Sequence, residues 1–180
     1  MIKSKLRSKI IKLRKKNLSK IIKIDPKRVL EFFKKKKINF KHLGGYYPCN
    51  YEIDDIEILN FFRTKNVKIS LPVINKNYQM DFFEWSLKYP LKINKYGIVE
   101  TLSSNKVYPD IILLPLVAFD KKLNRLGYGG GFYDRYIDKI KNHKKIIKIG
   151  LAFSFQEVEK IPINKYDKKL DYIITEKEII

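Results

Sequence analysis

The stretch Arg125-Leu-Gly-Tyr-Gly-Gly-Gly-Phe-Tyr-Asp-Arg135 contains four of the chain's eight glycines, all between positions 127 and 131. Glycine permits positive φ angles and lets a ligand approach the main chain closely. Successive N–H groups in such a turn can form an anion-binding concavity, and the N-terminus of a following helix adds partial positive charge. The stretch therefore predicts a phosphate-binding turn, with the carboxylate of Asp134 placed to hold a metal ion beside it.

On both sides of this stretch the sequence alternates between strand-like and helix-like patterns. The apolar run 110–115 predicts a central strand that is buried on both faces, and residues 132–140 have helical spacing. Further strands are predicted at 40–47, 67–74 with a hairpin partner at 78–85, 145–153 and 172–174. The alternation predicts a single domain over residues 1–180: an α/β fold, built as a three-layer α/β/α sandwich with a mostly parallel, mixed central sheet of Rossmann-like type.

Residues 2–15 are predicted to form an amphipathic helix. At about 100° per residue, its apolar stripe is formed by Ile2, Leu6, Ile10 and Leu13. Three cations form a second stripe at the border of the first: Lys3, Arg7 and Arg14. Two interpretations of these cations stay open. They can reach into a site formed by other elements, or they can be surface charges whose aliphatic stems cover apolar side chains.

The loop at 48–55 is acidic in an otherwise basic protein. Asp54 or Asp55 can cap the helix that follows, which accounts for one carboxylate. Glu52 is then left without a structural role at the carboxyl end of a predicted strand, where open α/β sheets place ligand contacts. It is a candidate binding residue.

The composition narrows the class of protein. With 180 residues, 44% hydrophobic and 13% aromatic, the chain can build a core and is not expected to be disordered. It contains no apolar run long enough to span a membrane, and its basic N-terminus lacks the apolar segment of a signal peptide. Cys49 has no second cysteine to pair with, and the two histidines are far apart, so we expect no zinc site. A cytoplasmic monomer is the default prediction.

The net charge of +20 raises the question of nucleic-acid binding. The charge comes mostly from lysines spread over the whole chain, as is typical of AT-rich codon usage. The sequence has no helix-turn-helix, RNP-like or zinc-finger pattern, so we expect no specific nucleic-acid partner. A basic surface would still attract polyanionic ligands such as a nucleotide or a polyglutamylated substrate.

The glycine stretch matches neither of the two common nucleotide motifs. A P-loop requires Gly-Lys-Ser/Thr after a fixed spacing, and no such run occurs. The dinucleotide fingerprint requires glycine at the position that Phe132 occupies. A tight turn, in which glycine serves only the backbone geometry, stays open as an alternative. The identity of the stretch must therefore come from its flanks.

With these flanks, the sequence resembles the 5-formyltetrahydrofolate cyclo-ligase family, whose members are also called methenyltetrahydrofolate synthetases. The most specific match is Leu114-Pro-Leu-Val-Ala-Phe-Asp120 followed by residues 125–135. Further matches, in order over nearly the whole chain, are Lys3-Ser-Lys-Leu-Arg7, Tyr47-Pro48 with Glu52, Leu71-Pro72, Met80-Asp-Phe82 with Trp85, Gly97-Ile-Val-Glu100, Gly150-Leu-Ala-Phe153, Gln156-Glu-Val158, Pro162 and Asp167. The chain departs from the family pattern at Thr101, Phe132 and Tyr166, where the family usually has Pro, Tyr and His.

The resemblance implies an ATP-dependent cyclisation of 5-formyltetrahydrofolate to 5,10-methenyltetrahydrofolate, with release of ADP and phosphate. ATP would be the co-substrate and Mg²⁺ the cofactor, and the reduced folate could carry a polyglutamate tail. The formyl oxygen would attack the γ-phosphorus to give an iminium phosphate, and N10 would then close the ring. Such chemistry requires positioning and charge neutralisation more than acid–base groups.

The resemblance also implies roles for individual residues. ATP would be bound by Lys3, Arg7, Arg125, Leu126, Gly127, Tyr128, Gly129, Gly130, Gly131, Phe132 and Tyr133, with Arg125 and Tyr133 catalytic. Mg²⁺ would be held, directly or through water, by Asp134 and Asp167. Folate would be bound by Glu52, which would contact the pterin, and by Tyr47, Met80, Phe82, Trp85, Tyr128, Gly129, Gly130, Gly131 and Phe132. For Phe82 and Trp85, ordinary core packing stays open as an equal alternative.

Two other classes of protein remain on the residues alone. A nucleotide- or RNA-binding module without catalysis would explain the glycines and the basic surface, but it would have no use for Glu52, Asp134 and Asp167. A sugar-phosphate isomerase or an acyl-CoA transferase could share the layered fold. Fold alone does not separate these from the ligase, whereas dependence on ATP would.

Overall fold

A computed structural model describes residues 2–17, 22–86 and 88–180, which form four α-helices and eleven strands. The helices are α1 (Ile2–Lys16), α2 (Pro26–Lys35), α3 (Ile56–Arg63) and α4 (Phe132–Ile140). The strands are β1 (His42–Gly44), β2 (Lys68–Ile74), β3 (Met80–Glu84), β4 (Leu91–Ile93), β5 (Val99–Thr101), β6 (Lys106–Val107), β7 (Ile111–Pro115), β8 (Ala118–Phe119), β9 (Arg125–Leu126), β10 (Ile147–Leu151) and β11 (Tyr172–Ile174).

Seven strands form the main sheet, in the order β11-β10-β7-β1-β2-β3-β6. The first five of these are parallel to one another, whereas β3 and β6 extend one edge in antiparallel fashion. Counted in chain order, the five parallel strands follow the arrangement 2-1-3-4-5 of flavodoxin-like doubly wound sheets. The predicted mixed, mostly parallel sheet is confirmed, and the direction of winding reverses between β1 and β7.

Strand β7 separates two hydrophobic cores. Ile111 and Leu113 pack on one face with side chains of α2 and α3, while Ile112 and Leu114 pack on the other with α4. All four side chains are 0% exposed. Burying each of them contributes about 1.5–3 kcal/mol, so the uninterrupted apolar run that predicts this strand is also what fixes the centre of the sheet.

Helix α1 lies in the predicted place and packs Leu6 and Ile10 of its predicted apolar stripe, whereas Ile2 departs from the prediction. Ile2, expected in the apolar stripe, is 72% exposed, whereas Arg14 is 2% exposed. Ile10 still packs, in a third core cluster with Leu126 of β9. The cationic stripe is covered as well, since Lys3, Arg7 and Arg14 all find acceptors on the rest of the protein. This outcome favours the first of the two interpretations of that stripe.

Strand β1 is shorter than predicted, whereas one of the two predicted helix caps is present. The predicted strand 40–47 is reduced to three residues, because the N–H of Tyr46 donates to Asp55 Oδ2 (2.9 Å) instead of joining the sheet. The side chain that caps α3 belongs to Asp54, whose Oδ1 accepts from the N–H of Ile56 at 2.8 Å.

A hairpin of β4 and β5, which the sequence did not predict, lies within the loop-rich segment 86–108. None of the described helices has the length and apolarity needed to cross a membrane.

Candidate active site

A cavity of about 1040 Å³ opens at the carboxyl ends of the parallel strands. Tyr46 and Tyr47, which follow β1, form part of its wall together with Ile74 from the end of β2 and Pro115 from the end of β7. In doubly wound sheets this is where a crevice forms, because the chain leaves the two strands at the switch point in opposite directions. The fold therefore places a binding cavity where β1 and β7 diverge.

The glycine turn, residues 127–131, forms one side of the cavity. Gly129 has φ of 104° and Gly131, which directly precedes α4, has φ of 66°; L-residues rarely adopt such values. No described residue accepts a hydrogen bond from the backbone N–H groups of residues 128–131. Together with the unsatisfied N–H groups of the first turn of α4, these donors form the kind of concavity that is suited to an anion.

Cationic side chains surround the turn. Arg7 Nε donates to the carbonyl oxygen of Gly127 at 2.7 Å, and Arg135 Nη2 donates to that of Gly130 at 2.5 Å. The cavity wall also includes Lys3, Lys139 and Lys168. Charge of this density, beside free N–H donors, suits a ligand with several phosphate groups.

Arg125 anchors the start of α4. It is 8% exposed, and its Nη2 donates to Asp134 Oδ1 at 2.8 Å. Its guanidinium carbon lies 5.8 Å from the centre of the Tyr133 ring. Burial, followed by the charges of Glu52 and Asp55, raises the pKa of Tyr133 well above its usual value, so this hydroxyl keeps its proton at neutral pH.

Two carboxylates lie on the same side of the cavity as the glycine turn. Asp134 accepts a second bond from the N–H of Lys168 at 3.0 Å, which brings the neighbouring Asp167 close to it. Asp167 itself pairs with Lys3 at 2.5 Å. Within residues 2–17, 22–86 and 88–180 there is no group of three or more metal-ligating side chains. A pair of carboxylates nevertheless fits Mg²⁺, which is usually held by one or two carboxylates, waters and substrate phosphates.

Glu52 contributes a carboxylate to another part of the wall. It accepts a hydrogen bond from the N–H of Cys49 at 2.8 Å. Burial raises the pKa of Glu52, while the Cys49 N–H, the Tyr128 hydroxyl and Arg14 act to lower it. Burial and the charge of Glu52 also raise the pKa of the Cys49 thiol to about 12. The thiol is therefore protonated at neutral pH and unsuited to act as a nucleophile.

The structure gathers most of the predicted site residues around this one cavity. The predicted residues that line it are Lys3, Arg7, Tyr47, Glu52, Met80, Arg125, Leu126, Gly127, Tyr128, Gly129, Gly130, Gly131, Phe132, Tyr133, Asp134 and Asp167. Phe82 and Trp85 are not among the lining residues: Phe82 is 0% exposed and packs on Tyr136, and Trp85 belongs to the core beneath α2 and α3. For both, the structure supports the alternative of core packing.

Several lining residues were not predicted. Tyr96 comes from the tip of the β4–β5 hairpin, and Tyr96 and Phe132 have ring centres 5.9 Å apart. Arg135, Lys139 and Lys168 are further cations of the wall. Arg135 and Lys139 follow the glycine turn on α4, so the helical spacing of their positions was the available sequence signal.

Taken with the sheet order, this site defines a doubly wound α/β protein whose binding cavity lies at the switch point and combines a glycine turn, cations and carboxylates. The model of the 5-formyltetrahydrofolate cyclo-ligase family matches residues 2–176. The chain belongs to the 5-formyltetrahydrofolate cyclo-ligase family, and the resemblance seen in the sequence is confirmed.

Individual members of this family are similar to the chain over most of its length. A 5-formyltetrahydrofolate cyclo-ligase of Haemophilus influenzae is 38% identical over 138 residues, which cover 72% of this chain and 73% of the relative. The one from Escherichia coli K12 is 31% identical over 135 residues, covering 71% and 74%. The solved structure of a 5,10-methenyltetrahydrofolate synthetase from Mycoplasma pneumoniae has a TM-score of 0.72 and 25% identity, covering 98% of this chain and 99% of that one. The corresponding Aquifex aeolicus structure has a TM-score of 0.73 and 28% identity, covering 99% and 92%.

Proposed function

We propose that the protein catalyses the ATP-dependent conversion of 5-formyltetrahydrofolate to 5,10-methenyltetrahydrofolate, releasing ADP and phosphate. The observation that carries this proposal is that one cavity is lined by two different kinds of surface: a glycine turn with cations, and the half-buried carboxylate of Glu52. The volume of this cavity, about 1040 Å³, lies at the upper end of the range for small-molecule sites. This volume suits two substrates that must react with each other.

The glycine turn and its cations would hold the triphosphate of ATP. The N–H groups of residues 128–131 point to phosphate binding because they have no acceptor among the described residues. Arg7 and Lys3 would add charge from α1, and Arg125 from beneath the turn. Phosphoryl transfer depends mainly on positioning and on neutralising the negative charge of the phosphates, and these groups supply both.

Asp134 and Asp167 would hold Mg²⁺ together with phosphate oxygens of the nucleotide. When bound, the ion would neutralise charge on the transferred phosphoryl group. Arg125 and Lys3 pair with these same two carboxylates. The two side chains therefore keep the carboxylates in place at the edge of the phosphate site and keep their own charges close to it.

The folate would lie on the side of Glu52. A carboxylate pairs well with a pterin ring, which carries adjacent N–H and amino donors. Tyr47 and Met80 would form apolar contacts beside it, since both line the cavity. Phe82 and Trp85 would act from the core, through the packing of β3, and have no direct contact in this proposal.

The reaction would proceed in two bond exchanges. The formyl oxygen would attack the γ-phosphorus while the bond to the bridging oxygen breaks and ADP leaves, giving an iminium phosphate. N10 would then attack the formyl carbon, and phosphate would leave with the formyl oxygen and take up the proton that N10 loses. Arg125 would balance the charge of the phosphates, and the protonated hydroxyl of Tyr133 would donate a hydrogen bond instead of acting as a base.

The stoichiometry of the products tests this mechanism. Purified protein with 5-formyltetrahydrofolate and MgATP should release one phosphate for each methenyltetrahydrofolate formed. Phosphate release that does not depend on the folate would instead indicate a nucleotide hydrolase. Nucleotide binding without any turnover would favour the non-catalytic binding module.

A further inference from the structure

Arg14 is buried and does not line the cavity, but it contacts two residues that do, Asn50 and Tyr128. It lies in the last turn of α1 and is 2% exposed, which is unusual for an arginine. Its Nη2 donates to the carbonyl oxygen of Leu116, directly after β7. Its guanidinium carbon lies 5.7 Å from the centre of the Tyr128 ring. A guanidinium that is removed from water in this way must be held by several specific partners.

Those partners belong to both halves of the proposed active site. Arg14 Nη1 donates to the hydroxyl of Tyr128 in the glycine turn at 2.5 Å. The Tyr128 hydroxyl and the charge of Arg14 both act to lower the pKa of the Glu52 carboxyl. Arg14 therefore bonds to the glycine turn on the ATP side and acts through its charge on the carboxylate of the folate side.

Arg14 also contacts the turn that carries Glu52. Its Nη1 lies 3.4 Å from the carbonyl oxygen of Asn50. Asn50 has φ of 48° and Tyr51 has φ of 60°. Two successive residues with a side chain rarely adopt this left-handed conformation, so the turn needs outside contacts to persist. The bond from Arg14 and the bond between the Cys49 N–H and Glu52 supply such contacts.

We infer that Arg14 is a positioning residue: its bonds to the Tyr128 hydroxyl and to the Asn50 carbonyl hold the turn that carries Glu52 against the glycine turn. The assignment of folate to Glu52 rests on the proposed function. The positioning role of Arg14 does not rest on the proposed function. Arg14 supplies the positive charge that a half-buried carboxylate requires, and it joins α1, the 49–52 turn and the end of β7 at the switch point.

Four variants separate positioning from mere stability. Arg14→Met removes the charge, Arg14→Lys keeps the charge without the planar guanidinium, and Tyr128→Phe removes only the hydroxyl that Arg14 contacts. Lys12→Met is the matched control, because Lys12 is an exposed cation on the same helix. Thermal melts establish which of them fold. If Arg14→Met does not fold, Arg14→Lys and Tyr128→Phe decide the question.

The first measurement needs no substrate. It is the pH titration of the Glu52 carboxyl group in the ligand-free protein, followed by the NMR chemical shift of its carboxyl carbon. The other titratable groups near Glu52 are Tyr46, Cys49, Asp55, Tyr128 and Tyr133, and the variants leave all but Tyr128 in place. Arg14→Met and Tyr128→Phe should move the Glu52 midpoint to higher pH by about one unit or more, whereas Lys12→Met should not. An unchanged midpoint in both variants would overturn the inference.

The second measurement uses turnover. Tyr128→Phe and Arg14→Met should raise the KM for 5-formyltetrahydrofolate by roughly tenfold or more, with the KM for ATP close to wild type, and Arg14→Lys should recover part of the loss. An equal rise of both KM values without recovery by lysine would indicate a structural role only. If the wild-type protein forms no methenyltetrahydrofolate, the proposed function fails, and the Glu52 titration still decides the role of Arg14.

Discussion

The ammonium of Lys3 donates to the carboxylate of Asp167 at 2.5 Å, although 164 residues separate them in the chain. The pair joins α1 to the segment before β11 at the edge of the cavity. The two ends of the chain thus deliver a cation and a carboxylate to the same glycine turn. The proposed phosphate site would be complete only when both ends have docked on the sheet.

Replacing Lys3 with Met should weaken ATP binding more than it weakens the fold. The side chains of Lys3 and Asp167 are 26% and 25% exposed, and a partly exposed ion pair contributes about 0–1 kcal/mol to stability. A charge-assisted contact to phosphate is stronger, so the KM for ATP should rise by roughly tenfold or more. Steady-state kinetics and a denaturant melt measure the two effects. Lys5→Met, on the exposed side of α1, is the control; a similar loss there would mean that the net charge of the helix matters and not this contact.

A pair of glycine variants separates ligand binding from turn geometry. Gly129 and Gly97 both have positive φ, 104° and 76°, so alanine at either position should cost about 1–2 kcal/mol in stability. A Cβ at Gly129 would lie 3.3 Å from the Arg7 guanidinium, whereas a Cβ at Gly97 would meet nothing within 4 Å. Only Gly129→Ala should lose ATP affinity, measured by calorimetry. Equal affinity in the two variants would favour the alternative in which the glycines serve the turn alone.

The pH dependence of folate use should follow Glu52. Because burial raises the pKa of this carboxyl, the ionised form that would bind the pterin is lost on acidification while other carboxylates are still charged. The kcat/KM for 5-formyltetrahydrofolate should therefore rise as the pH rises through that pKa. Glu52→Gln should be low and flat over the same range, with an unchanged KM for ATP. A parallel fall in ATP affinity would show that Glu52 supports the structure of the whole site.

Asp55 should make the fold less stable as the pH rises. It is 0% exposed, and burial raises its pKa well above the usual carboxyl value. Between the unfolded pKa of about 4 and the raised folded value, the folded state binds more protons than the unfolded state, so the free energy of unfolding falls with increasing pH.

Asp55→Asn should remove this decline, because an amide oxygen can still accept the N–H of Tyr46 and carries no charge. Denaturant melts of both proteins over the acid-to-neutral range give the difference in free energy, which should grow with pH. Asp54→Asn is the control, since Asp54 is exposed and asparagine caps helices equally well. A difference that is independent of pH would contradict the account of a buried, proton-binding Asp55.

The parts of the fold that the sequence predicted are those with a local cause. The run from Ile111 to Leu114 is apolar throughout because both faces of β7 are covered. The glycine turn could be placed because Gly129 and Gly131 need backbone conformations that only glycine adopts easily. Glu52 could be singled out as a candidate because a helix cap accounted for Asp54 or Asp55, whereas the sequence suggested no structural role for Glu52.

Other features depend on distant contacts and could not be predicted. Helical spacing gives α1 an apolar and a cationic stripe but does not say that both are covered; Arg14 is buried because Leu116 and Tyr128 bring acceptors to it. In β3, Met80 and Phe82 point to the same face. Met80 pairs with Ile74 at the carboxyl edge of the sheet and reaches the cavity, whereas Phe82 lies further in and packs in the core. The alternation of residues in the sequence predicts the face of the sheet on which a side chain lies, but not how far that side chain lies from the edge of the sheet.

The most direct test is the spectrophotometric turnover assay, in which the protein is mixed with 5-formyltetrahydrofolate and Mg²⁺ with and without ATP. We predict that the absorbance of 5,10-methenyltetrahydrofolate will rise in proportion to protein concentration when ATP is present, and will stay at the slow acid-driven background when it is omitted. Absorbance that rises equally without ATP, or that never exceeds the background with it, would contradict the assignment of this cavity to the ATP-dependent cyclisation of 5-formyltetrahydrofolate.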